Sequence, residues 1–347
     1  MNYIKINRRF GVLTISSVFL LLLAGGVVRS SGSGMGCPDW PECYGSYFPP
    51  TCACQLPADY QVIYAQKRIK KAERFASLLS VLGMKNQAAE LMADPNLIKP
   101  EVFNPRKAWT EYVNRIIGVL SGLFSLIFFL TLLKIRKHVH KTRFWLGVAG
   151  FIMMIFNAWL GSIVVATNLF PVLVTIHYLA AYAVLALFML SLVNVRLSEQ
   201  SIRLTSYKWF FVIFVLMSVI QVIYGTQLRQ VSEEGVATGV LYKGTTVNFD
   251  FLGSVFKAHW FLAIGLIFLS LIPLFTLRKH IERKWFLIIS LLPVTLVIQY
   301  FSGVINLKSA FPLIPQVSHI FFAGIVFGIT LYICIAIFRS GKPTLKA

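Results

Sequence analysis

Apolar residues do not alternate along this chain; they come in long blocks. Eight blocks of about twenty residues, the length that crosses a bilayer as a helix, cover roughly 11–28, 111–133, 144–165, 172–195, 208–227, 256–277, 285–305 and 315–338. Polar connections separate them, and one connection, 29–110, is far longer than the rest. The pattern predicts an all-α integral membrane protein with eight transmembrane helices.

Composition agrees. Of 347 residues, 57% are hydrophobic and 13% are charged, about half the charge of an ordinary soluble domain. A cytosolic enzyme, a DNA-binding domain and a disordered chain are excluded. The net charge of +20 then reads as topogenic rather than as a nucleic-acid surface. Lys5, Arg8, Arg9, Lys134, Arg136, Lys137, Lys141, Arg143, Arg196, Arg203, Lys208, Arg278, Lys279, Arg283, Lys284, Arg339, Lys342 and Lys346 fall on one side. The opposite short connections hold Arg229, Lys243, Lys257 and Lys308. The positive-inside rule puts both termini in the cytoplasm. The first apolar run lacks a small-residue cleavage site and is expected to be a retained helix in a bacterial inner membrane.

Four of five cysteines, Cys37, Cys43, Cys52 and Cys54, sit in the long outside loop, where disulfides form. Three pairings are open. The turn-forming Pro38-Asp39-Trp40-Pro41 favours Cys37 with Cys43, ahead of a four-cysteine metal site whose spacing matches no standard zinc ribbon. Cys334 reads as a small buried apolar residue.

The halves repeat. Gly225 and Arg229 echo Gly25 and Arg29. Gly161, Phe170-Pro171 and His177 are echoed by Gly303, Phe311-Pro312 and His319, with the same sixteen residues from glycine to histidine. Two pseudo-two-fold-related four-helix bundles are expected, an N-terminal half 1–200 and a C-terminal half 201–347, with a cofactor site in a bundle centre.

The histidines divide. His138, His140 and His280 lie in basic connections and receive no role. His177, His259 and His319 lie inside spans, where an ionisable group implies function. His259 and His319, from two spans of the second half, suit the two axial positions of a haem iron. His177 serves the first half. Its expected partner, one repeat back from His259, is Asn114, a poor iron ligand. One strong ligand leaves an open face; two favour electron transfer. Glu111 lies one turn before Asn114 and is either an interfacial partner of Arg115 or a functional carboxylate. Arg29, Arg115, Arg229, Lys257 and Lys308 gather near the outer surface, as headgroup contacts or as partners of haem propionates.

Two other classes also fit parts of the pattern. A bis-histidine haem b electron carrier would use the three histidines without modifying a porphyrin. A transporter would need midplane polar residues, and Asn157, Gln221 and Gln299 are the candidates.

The chain resembles the haem A synthase family. The likeness rests on Gly25-Gly26-Val27-Val28-Arg29-Ser30-Ser31-Gly32-Ser33-Gly34 running into Cys37-Pro38-Asp39-Trp40-Pro41-Glu42-Cys43-Tyr44-Gly45, on Glu111-Tyr112-Val113-Asn114-Arg115, and on His177, His259 and His319. It implies oxidation of the C8 methyl of haem O to a formyl group, giving haem A for terminal oxidases. It also implies a retained haem b on His259 and His319, substrate haem O in the first half, and Glu111 as a carboxylate used in the chemistry. Cys37 and Cys43 match a loop pair of one family branch. An external electron donor is implied, with haem O synthase or oxidase assembly factors as further partners. Two departures stand out: Glu-x-x-Asn replaces the family's Glu-x-x-His on the second span, and the first loop is longer. Within that loop, Tyr60 to Leu91 is amphipathic and Lys-rich, suited to covering the site, lying on the membrane or docking a partner.

Overall fold

The computed structural model describes residues 2–94, 97, 98, 100–195, 197–243 and 246–340; Arg196, Lys342 and Lys346, expected on the cytoplasmic side, lie outside them. Eight helices are long and apolar enough to span a membrane. In chain order, the helices are α1 (Asn2–Ser30), α2 (Tyr60–Val81), α3 (Lys85–Ala93), α4 (Pro105–Lys134), α5 (Lys141–Ala166), α6 (Pro171–Leu192), α7 (Lys208–Ala237), α8 (Phe249–Leu277), α9 (Arg283–Lys308) and α10 (Leu313–Ser340). All but α2 and α3 are spans. Most run past the apolar blocks, since a helix continues into its polar flanks until a cap or breaker stops it. At the start of α4, the Asn104 side chain accepts from Lys107 N–H at 3.2 Å and Pro105 supplies the first turn. A short hairpin, β1 (Tyr242–Lys243) with β2 (Thr246–Val247), joins α7 to α8.

The spans close into two rings. In the first, α4 packs on α1 and α5, and α6 packs on α5 and α1. In the second, α8 packs on α7 and α9, and α10 packs on α9 and α7. The rings meet where α10 touches α1 and α6, and α6 touches α7. Each ring has its own apolar centre. Phe128, Leu185 and Phe188 are buried in the first; Phe211, Trp285, Ile289 and Leu292 in the second. Outward-facing side chains stay apolar and exposed, such as Val119, Phe261, Phe268 and Phe301, as a lipid-facing surface requires.

At the Lys/Arg-rich end, arginines close helix C-termini. Arg143 donates to the carbonyls of Ser191 and Leu192 at 2.9 and 3.1 Å, and Arg339 donates to those of Leu190 and Val193. These carbonyls have no partner within their own helix, and a cation there also favours the helix dipole.

The repeat appears in the backbone. Asn168 and Leu169 between α5 and α6 have positive φ, as do Ala310 and Phe311 between α9 and α10. Leu169 N–H bonds to Val164 O, and Phe311 N–H to Asn306 O, both at 2.8 Å. The offset is the one relating Gly161 to Gly303. It pairs Pro171 with Leu313, so the two Phe-Pro steps stand one residue out of register and the turn itself is what repeats.

The long loop is ordered around two clusters. Phe75, Leu79 and Leu91 of α2 and α3 pack on Val164, Phe170 and Leu173 at the outer ends of α5 and α6. Arg68 is buried rather than solvated, with Nε donating to Leu97 O at 2.8 Å. Of the roles open for this stretch, covering the outer end of the first ring is the one the packing displays.

Candidate functional site

A cavity of about 460 Å³ lies in the second ring, walled also by α6 and the end of α1. His259 of α8 and His319 of α10 face each other across it, ring centroids 6.1 Å apart. Two imidazoles on opposite faces of one iron, with Fe–N bonds of about 2 Å, have ring centres about 6 Å apart. The His319 Nδ1 donates to Gln299 O at 2.7 Å and lies 3.2 Å from the Ser302 hydroxyl. That bond fixes the ring and leaves Nε2 for a ligand. His259 Nε2 lies 3.5 Å from Gln221 Nε2, and its buried Nδ1 has no hydrogen-bond partner among the described residues. A nitrogen left unpaired in an apolar cavity is costly, and a metal would satisfy it. The residues present therefore fit a bis-histidine haem.

The three membrane histidines share one support. His259 lies over Gly225, where an added Cβ would be 3.2 Å from Cε1; His319 lies over Gly303 at 3.0 Å, and His177 over Gly161 at 3.3 Å. Four residues before each glycine stands an amide residue, Gln221, Gln299 or Asn157. For His319, the Gln299 backbone carbonyl accepts from the imidazole. Glycine admits each ring, and at His319 the carbonyl one turn back fixes it. Of the amide side chains seen as midplane candidates for transport, Gln221 Nε2 donates to the His259 carbonyl at 3.0 Å.

At the outer mouth, Arg29 of α1 and Arg229 of α7 line the cavity, and both bind Glu233, Arg229 at 3.0 Å. Sequence reasoning missed Glu233, which joins arginines from the two halves. Lys308 lines the cavity too, whereas Lys257 is exposed and does not. Tyr178, next to His177 in sequence, also lines this cavity.

Glu111 and Arg115 form a separate unit. Glu111 is 3% exposed. Its Oε2 accepts from Cys37 N–H at 2.8 Å and its Oε1 from Arg115 at 2.6 Å. Arg115 also donates to the carbonyls of Asp39, Glu42 and Cys37 at 2.8–2.9 Å. The guanidinium therefore holds the loop rather than the cavity. Cys37 and Cys43 are disulfide-bonded, and Cys52 bonds Cys54, which removes the four-cysteine metal site. Asp39 accepts from Tyr44 and Gly45 N–H at 2.7 and 2.8 Å, closing the turn. Gly36 makes the close approach possible, since a Cβ there would sit 2.4 Å from Lys107 O. Tyr44 and Tyr64 pack edge-on beneath this loop. Burial, then the negative charge of Asp39 and Glu42, pushes Tyr64 up to about 12, so it stays a neutral phenol.

Two relatives carry the name Heme A synthase. One, from Shewanella oneidensis, is 26% identical over 184 residues, 53% of this chain and 44% of that protein. The chain thus matches less than half the length of that relative. The other, from Alkalihalophilus pseudofirmus, is 23% identical over 342 residues, 95% of this chain and 97% of that protein. The family profile described as cytochrome oxidase assembly protein matches residues 8–77 and 98–331. With most of its length covered, the chain belongs to the COX15-CtaA family of cytochrome oxidase assembly proteins.

Proposed function

We propose that the protein oxidises the C8 methyl of haem O to a formyl group by successive hydroxylations, yielding haem A for terminal oxidases. The observation that carries this reading is His259 facing His319 at 6.1 Å in a cavity whose mouth holds Arg29 and Arg229. Its relatives' name points the same way. A haem b held by His259 and His319 supplies one-electron transfer, and iron with oxygen supplies the oxidising power that side chains lack. Everything else falls to the chain. Arg29 and Arg229 take the propionates at the mouth by charge-assisted bonds. Gln299 fixes the His319 imidazole through its backbone carbonyl, and the Gln221 side chain bonds the His259 backbone. Apolar walls keep water from the porphyrin.

His177 holds the substrate haem O in the first ring. Glu111, one turn outward of Asn114 on α4, moves protons at that end while its pairing with Arg115 and Cys37 N–H keeps the loop seated. The methyl becomes a geminal diol after two hydroxylations and loses water to give the aldehyde. The electrons come from an external donor, as the sequence carries no dinucleotide fingerprint. The Lys/Arg asymmetry supports both termini in the cytoplasm, and the two bacterial relatives support a bacterial inner membrane. Haem O synthase and oxidase assembly factors are the partners this position in oxidase assembly favours. The relatives' name, Heme A synthase, favours a porphyrin-modifying enzyme over a carrier of electrons alone.

The test is complementation of a host deleted for its own haem A synthase. Wild type should restore haem A, and His177→Ala should not. Failure of wild type beside a functioning control gene, or full restoration by His177→Ala, contradicts the reading.

A further inference from the structure

Three of the four helix pairs that could carry an imidazole do so on the same support: an amide residue, a glycine four residues later, and a histidine from the next span resting on that glycine. The fourth pair is α1 with α4. Its register follows from packing. Leu21 of α1 meets Gly118 of α4, where an added Cβ would be 3.9 Å from Leu21 Cδ2. α1 runs outward and α4 inward, so one turn outward on both brings Gly25 level with Asn114. In the second ring, Gly225 of α7 is level with His259 of α8 in the same way.

The imidazole is what this pair lacks. The histidine position is Asn114, half-buried and without a side-chain hydrogen bond among the described residues. A Cβ on Gly25 would meet nothing within 4 Å among the described residues, so no side chain leans over it. Across the same ring, His177 keeps its glycine and a buried Nδ1 with no partner among the described residues.

We infer that the first ring grips its haem from one axial side only, through His177, and leaves the Asn114 face open to a small exogenous ligand such as carbon monoxide or free imidazole. The inference rests on the proposed haem site of the first ring. An asparagine side chain is shorter than the reach of an imidazole nitrogen and offers a weak neutral donor, so it does not saturate iron. The second ring, with two imidazoles, stays closed to the same ligands.

The experiment uses the full chain in lipid nanodiscs, loaded with iron protoporphyrin IX and titrated as the ferrous protein with carbon monoxide. Wild type should bind two haems, with about half of the bound haem taking up carbon monoxide and the rest remaining low-spin. Asn114→His should keep both haems and abolish carbon monoxide uptake, because it supplies the missing imidazole. His177→Ala should lose the reactive haem and keep the low-spin signal, which also shows that the variant has folded. Two low-spin, unreactive haems in wild type overturn the inference and leave the haem site standing. A single low-spin haem in wild type overturns the first-ring site and the inference with it.

Discussion

Gly303→Ala places a methyl group 3.0 Å from His319 Cε1 and 3.3 Å from Nδ1. Non-bonded carbons settle at about 3.5–4.0 Å, so the ring must retreat by roughly 0.5–1 Å. The same ring is held by its bond to Gln299 O at 2.7 Å. Retreat stretches that bond beyond the useful range of about 3.2 Å, a loss of about 1 kcal/mol. Crowding the packed surroundings adds about 1–2 kcal/mol. The total of about 2–3 kcal/mol corresponds to a hold on haem roughly 30- to 140-fold weaker. Gly25→Ala is the internal control. The same methyl meets nothing within 4 Å among the described residues, and alanine's helix propensity makes the change neutral or up to about 1 kcal/mol stabilising. The assay is transfer of haem from the purified protein to excess apomyoglobin, followed in the low-spin absorption band. Haem retention in Gly303→Ala equal to wild type, or an equal loss in Gly25→Ala, would refute the reasoning.

Other expected outcomes follow from the same contacts. His259→Ala or His319→Ala should each abolish the low-spin haem b spectrum; an unchanged spectrum in either would contradict the ligand assignment. Glu111→Gln should leave haem b bound but lower haem A yield and raise protease cleavage within residues 36–45, because the loop loses the anion binding Arg115 and Cys37 N–H; wild-type yield would remove Glu111 from the chemistry. Glu233→Gln breaks two partly exposed ion pairs, each worth about 0.2–1 kcal/mol, and should lower the thermal midpoint by about 0.5–3 °C. A midpoint unchanged or raised would mean the arginines need no carboxylate. Cys37→Ser opens a short covalent ring with a sequence separation of 6, at a cost of roughly 2 kcal/mol by loop-closure entropy, and should expose the same loop to protease; resistance equal to wild type would show that Arg115 alone suffices.

The spans were legible because bilayer thickness imposes a length that few other constraints imitate, and His259 and His319 because an ionisable group inside such a span is rare. The ends were less legible. α1 extends back to Asn2 through Lys5, Arg8 and Arg9, since helical hydrogen bonding does not stop where hydrophobicity does. The repeat was visible at Gly161 and Gly303, whose offset the left-handed turns at 168–169 and 310–311 share, whereas the Phe-Pro steps were a misleading guide to it. Glu233 could not be read, as Arg29 lies 204 residues away in sequence and only packing brings them together. Arg115 looked like a propionate partner and instead anchors the loop, because Glu111 one turn earlier draws it inward. The amide-to-glycine spacing at 157, 221 and 299 was present in the sequence and would have linked each histidine to its supporting helix.

Haem chromatography tests the central claim most directly. The protein is expressed in a host that makes haem O but not haem A, with an electron donor shown to support a known haem A-forming enzyme, and its haems are extracted and separated. The account predicts haem A or hydroxylated haem O beside haem b. Haem b with unmodified haem O alone would contradict it.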